Sequence, residues 1–109
     1  MDNELMYWLC LNAVEGLNAK TKLELITLFG GIPKVFEADK GSLLKAGLKP
    51  EHYSACHSVA AKQGALQIME LCEKQNINIL TFDHEDYPEM LKYINDPPLV
   101  LFVRGEVPH

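Results

Sequence analysis

The chain has 109 residues, of which 48% are hydrophobic and 23% charged, and its formal net charge is −5. That length holds one compact domain, or a small domain with part of another, and no apolar run approaches the ~20 residues needed to cross a bilayer. Eight lysines face nine acids up to Asn76, and two cations face six acids from Ile77 onward, so the sequence lacks the clustered Lys and Arg by which a strong nucleic-acid binder neutralises phosphates.

Asp2 or Asn3 is expected to cap a first helix. Leu5, Leu9 and Ala13 form its apolar stripe, widened by Met6 and Cys10, and Trp8 reads as a core anchor. Gly16 is expected to end that helix in the left-handed conformation. After Gly16-Leu17-Asn18, Asn18 caps a helix over Ala19–Phe29, which Gly30-Gly31 stops. Ile32-Pro33 opens a short helix over 34–38, and Ser42 caps another over 43–46 that Gly47 ends. Pro50 sits in the first turn of a long helical pattern running to about Asn76. Gly64 weakens its middle by roughly 1 kcal/mol relative to Ala, which predicts a bend or break there.

Beyond Asn76 the period changes. Residues 77–82 read as a strand, and Asp83-His84-Glu85-Asp86 as a polar turn. Pro88 suits the start of a short helix, with Leu91 and Ile94 on one face. Pro97-Pro98 cannot continue a helix and drives Asp96 into an extended conformation. The run 99–103 is short, apolar and rich in β-formers, so it reads as a strand covered on both faces and stopped by Arg104-Gly105.

Four constellations bear on function. Helix, Gly16-Leu17-Asn18, helix resembles the helix-hairpin-helix, in which backbone amides at a helix N-terminus approach a DNA phosphate. Gly16 matches the first hairpin glycine, Asn18 replaces the second, and Lys20, Thr21 and Lys22 stand where phosphate contacts would lie. The alternative is that the hairpin only packs two helices, and a five-helix SAM-like bundle has the same outline. Gly47-Leu48-Lys49-Pro50 reads as a degenerate second copy. His52 and Cys56 have ligand-like helical spacing but no second pair to complete a metal site. Asp83 to Asp86 bring titratable groups together with no nucleophile nearby, the pattern of a solvated turn. No metal or cofactor is called for. Cys10, Cys56 and Cys72 are odd in number with no CxxC pair, and the acidic start lacks the basic region of a signal peptide; both fit a reducing, cytoplasmic setting.

The segment from Tyr87 onward carries a family resemblance. Tyr87, Pro88, Leu91, Ile94, Asp96, Pro97, Pro98, Leu101, Val103, Arg104 and Gly105 resemble the entry segment of the DNA-processing protein A family (DprA, also called Smf). The resemblance implies an α+β chain with a helical SAM-like or helix-hairpin-helix-like domain over 1–58. Over 59–109 it implies the opening elements of a Rossmann-like α/β domain. It also implies a protein without enzymatic activity that binds single-stranded DNA, passes it to the RecA recombinase in natural transformation and recombination, and self-associates. In that family the glycine-rich loop and basic DNA pocket follow the strand ending in Arg-Gly, so the main DNA site is expected to be missing from this chain. The run 99–103 is then expected to be hidden by the chain's own helices or by dimerisation. The competing expectation is a helical protein-interaction module without DNA binding of its own.

Overall fold

Helix boundaries follow local chemistry at most joints of the computed structural model, which describes residues 3–105. The expected cap at Asp2 lies outside the described residues. Helix α1 spans Asn3–Asn12, α2 Ala19–Phe29, α3 Ile32–Glu37, α4 Lys40–Lys45, α5 Pro50–His57 and α6 Val59–Lys74. Asn18 has extended backbone angles, and its side chain accepts the Thr21 N–H at 2.9 Å, so α2 starts where expected. Gly30, at φ 89°, ends α2: its N–H and that of Gly31 both reach back to the Ile26 carbonyl. Such a φ is strained for any residue with a Cβ.

Helix α3 starts two residues before the expected 34–38 and ends one before it, and the strand bounds shift by one residue; three boundaries differ in their cause. The long pattern after Pro50 breaks at Ser58, while Gly64 lies undisturbed inside α6. Ser58 has extended angles and its Oγ accepts the Ala61 N–H at 3.0 Å. A hydroxyl that satisfies an orphan amide starts a helix afresh, whereas one glycine costs a long helix only about 1 kcal/mol. Helix α4 is capped by Asp39 in place of Ser42; the Asp39 carboxylate accepts both the N–H and the hydroxyl of Ser42. Those bonds hold the Asp39 carboxyl below its usual range. Helix α1 ends at Asn12, before Gly16, and leaves Ala13 exposed.

The sheet has two antiparallel strands, β1 (Ile77–Thr81) and β2 (Val100–Arg104), paired Ile77 with Arg104, Ile79 with Phe102 and Thr81 with Val100. The turn into β1 places Asn76 at φ 56°, a left-handed position that Asn tolerates. A 3₁₀ helix, Glu89–Tyr93, replaces the expected α-turn after Pro88. With three residues per turn it leaves Leu91 half-buried and Ile94 exposed, so the two share no buried face. Coverage of both faces, expected over 99–103, holds at Leu99 and Val100. It fails at Phe102, which is 49% exposed.

The larger core cluster combines Trp8, Leu9, Cys10 and Leu11 of α1 with Ile32, Ala65, Leu99 and Val100. Its members therefore come from the helical region and from the strand region alike, and Leu99 and Val100 are hidden by the chain's own helices. A smaller cluster of Leu25, Val35, Leu43 and Leu48 sits among α2, α3 and α4. The described residues thus form an α+β fold of six α-helices, one 3₁₀ helix and one antiparallel strand pair. Among the described residues no helix is long and apolar enough to cross a membrane.

All three cysteines are free and buried. Burial pushes the Cys56 thiol from an ordinary 9.0 up to about 11, and raises that of Cys10 as well. An unfolded thiol loses its proton first, so stability is expected to fall as pH rises from about 9 to about 11, by about 2–3 kcal/mol for Cys56. Urea denaturation of wild type and Cys56→Ala across that window checks this: the variant should show a flatter decline.

Candidate nucleic-acid interface

A helix N-terminus attracts anions because its first amides lack intrahelical partners. At α2 the amides of Lys20, Thr21 and Lys22 already have acceptors, the last in the Asn18 carbonyl. The Asn18 side chain takes the Thr21 N–H, and Asp96 Oδ1 accepts the Lys20 N–H at 2.8 Å, from 76 positions along the chain. Asp96 thus supplies the negative charge that a phosphate would bring. Pro97 and Pro98 explain its placement: the residue before a proline is held extended, and the corner faces the start of α2. Tyr87 fixes the same corner from the other side. Its ring is buried, and its hydroxyl donates to the Pro98 carbonyl at 2.7 Å. Burial raises the Tyr87 phenol above its ordinary value, so it remains a donor throughout the neutral range.

Lys22 points inward. It is only 5% exposed, and Nζ donates to the carbonyls of Asn12 and Val14 at 3.0 and 2.9 Å. These are end groups of α1 and the connection that follows. One ammonium therefore caps the end of the first helix from the side of the second. Burial lowers the Lys22 pKa, and the nearby Asp96 charge partly restores it.

Gly16, at φ 80°, serves the turn by its backbone freedom; an added Cβ would meet His52 Nε2 only at 3.5 Å. Of the expected phosphate-contacting residues, the Lys20 side chain remains on the surface, Thr21 is half-buried and Lys22 is enclosed. Asn18 is committed to its cap. The second hairpin is similar: the Lys49 N–H goes to His52 Nδ1 at 3.4 Å, and Leu48 is buried in the smaller core.

Cys56 Sγ approaches His57 Nδ1 at 3.2 Å and the Tyr53 carbonyl at 3.5 Å, while His52 serves the start of α5. Among the described residues no group of three His, Cys, Asp or Glu is arranged to hold a metal. Around His84 the turn is closed by hydrogen bonds: Thr81 Oγ1 donates to Asp83, and the Asp86 N–H to His84 Nδ1. Of the family-signature residues, Leu91 is half-buried, Arg104 ends β2 on the surface, and Gly105 donates its N–H to the Asn76 carbonyl.

The sequence did not announce an open groove of about 560 Å³ between α2 and the Asp-Pro-Pro corner. Leu23, Leu28, Phe82, Ile94 and Pro97 supply its apolar surface, and Lys20 and Lys92 lie at its rim. Lys92 Nζ sits 5.5 Å above the Phe82 ring and 3.6 Å from Glu89. The alternation that marks a strand and the stripe that marks a helix carry no signal for a groove between distant segments. No protein-family model, curated protein or solved structure matches the chain.

Proposed function

We propose that the chain is the N-terminal portion of a DprA-type DNA-processing protein, and that these residues form its structural entry and do not themselves hold DNA. The observation that carries the second half is the Asp96 carboxylate on the Lys20 N–H, which sets a negative charge against an amide that a phosphate at the start of α2 would otherwise approach. The enclosed Lys22 and the net charge of −5 support the same reading. The first half rests on the signature residues, whose contacts make physical sense of the pattern: Tyr87 and Pro98 bind each other, and Asp96 joins the corner to the helical region. On this reading single-stranded DNA and RecA are partners of the whole protein, through surfaces other than the Gly16 hairpin.

The test is a fluorescence-anisotropy titration of single-stranded DNA with the 109-residue chain at low and moderate salt. Wild type and Lys20→Glu are expected to behave alike, with no saturable, salt-sensitive binding. Saturable binding that salt weakens and Lys20→Glu abolishes would show the hairpin to be a phosphate site and overturn the scaffold role.

The second reading, a protein-interaction module, is favoured by the groove beside α2, where Leu28 and Ile94 stand exposed.

A further inference from the structure

Two depressions adjoin along α2. The first is the open groove of about 560 Å³ beside the Asp-Pro-Pro corner, and the second holds about 310 Å³. They share Leu23, Thr27 and Phe82, so one cleft follows the helix from Lys20 to Gly30-Gly31. Its surface is mainly apolar. The Thr27 hydroxyl donates its proton to the Leu23 carbonyl at 3.1 Å, and Leu28 and Ile94 are 69% and 48% exposed. Covering such side chains is favourable for a partner that brings apolar groups of its own.

Charge divides the cleft. Lys20 and Lys92 stand at the corner end, and Asp83 at the end near Gly31. The acids closest to the lysines are engaged elsewhere. Glu89 meets Lys92 at 3.6 Å from outside the lining, and Asp96 holds the Lys20 N–H. Glu24 stands on the ridge between the cleft and a shallow depression on the other flank of α2. Both walls consist of residues that precede β2. The bond from the Phe82 N–H to the Leu99 carbonyl marks the cleft's end of the sheet, whereas β2 delivers the chain to Gly105 beside Asn76. Those two ends are separated by five residues, or roughly 16 Å at about 3.3 Å per residue.

We propose that the cleft holds a short amphipathic segment of a partner protein, acidic at the end that meets Lys20 and Lys92. One apolar side chain of the segment enters each depression, and no acid lies at the end that meets Asp83. The larger depression has the volume of an ordinary ligand site, about 300–1,000 Å³. A helical segment places two apolar side chains on one face a turn apart, the spacing that two adjoining depressions require. The divided charge also gives the segment a direction, because Asp83 repels an acidic end docked the wrong way round. This inference rests on the interaction-module reading and is independent of the DNA-processing one.

The experiment maps amide chemical shifts of the 109-residue chain by nuclear magnetic resonance. The probe is a short synthetic helical peptide, capped at both ends, with two leucines one turn apart and glutamates at one end. The expected result is saturable shifts at Leu23, Thr27, Leu28, Phe82 and Ile94, with a Kd on the order of 100 µM that salt weakens. The same peptide with glutamines for glutamates should bind roughly threefold to tenfold more weakly, and with lysines more weakly still. Leu28→Asp changes an exposed residue, so it should keep the fold by circular dichroism and weaken binding at least about tenfold. Lys92→Gln should weaken the glutamate peptide roughly threefold and leave the glutamine peptide unchanged. A nitroxide on the end without glutamates should broaden Gly30 and Gly31 and leave Asn95 sharp.

Shifts centred on the outer face of α6 overturn the cleft and leave the interaction-module reading standing; no saturable shift anywhere counts against both. Equal binding of the lysine peptide overturns the proposal, and so does displacement of the peptide by single-stranded DNA, which would make the cleft a nucleic-acid site. Cleft amides that shift with protein concentration alone overturn it in favour of a second copy. Loss of binding in a chain carrying any downstream residues encoded with it also overturns the proposal, because the cleft is then filled from within.

Discussion

Leu99→Ala is expected to lower the unfolding free energy by about 2–5 kcal/mol, measured by urea denaturation, a large share of what a chain of this size has. Leu99 is fully buried, and its carbonyl accepts the Phe82 N–H at the start of the strand pair. Its neighbours in the cluster come from α1, α3 and α6. Truncation leaves a cavity bounded by all of them, and no single flexible segment can move in to fill it. The loss should appear as a shift of one transition, seen equally by far-ultraviolet circular dichroism and by the fluorescence of Trp8, which belongs to the same cluster. Leu99→Met, which nearly conserves volume, should cost less than about 1.5 kcal/mol. A separate early transition in Leu99→Ala, visible to only one probe, would mean that the helical and strand regions melt independently.

Lys22→Ala is the second large effect, about 2–3 kcal/mol of destabilisation. The cost arises because the carbonyls of Asn12 and Val14 lose a charged donor in a place water reaches poorly. Lys22→Met keeps the stem's packing and removes only the donor, so the difference between the two variants isolates the hydrogen bonds. The pH dependence supplies a second check. Burial holds the folded pKa of Lys22 below its ordinary 10.5. Between those two values the unfolded chain binds the extra proton, so this residue's contribution makes stability rise with pH as 10.5 is approached. The sign is opposite to that of the buried thiols, and Lys22→Met should remove it. A Lys22→Ala variant as stable as wild type would show that water replaces the ammonium at α1's end.

What the sequence made legible was local. The Asn18 cap, the Gly30-Gly31 stop, both strands and the Trp8 anchor are set by residues within a turn of where they act. Ser58 was missed because serine is ambiguous: its hydroxyl caps a helix only where the backbone before it is extended, and nothing nearby announces that. Asp39 and Ser42 were exchanged for a related reason, since both are good caps and lie three residues apart, each able to serve the other. Lys22 was read as a cation for a phosphate because a lysine beside a hairpin glycine has no pattern that reveals an inward ammonium. Asp96 was the largest omission. The two prolines declared its extended backbone, but its target lies 76 residues earlier, and no periodicity spans that distance. The candidate site was therefore legible as a place, the start of α2, while its occupant was not.

The reach from Asp96 to Lys20 also orders assembly in time. A helix normally completes its first turn with groups supplied by its own neighbours. Here one of the α2 amides waits for a carboxylate that is synthesised long after the helix itself. As the chain emerges, α1 through α4 can collapse on their local contacts, but the start of α2 stays open to water until the corner at Pro97 arrives. Closing so long a loop costs entropy before it returns any contact. The nascent helical region is thus a looser body than its finished form, and the start of α2 is completed only when the corner before β2 is drawn in beside it.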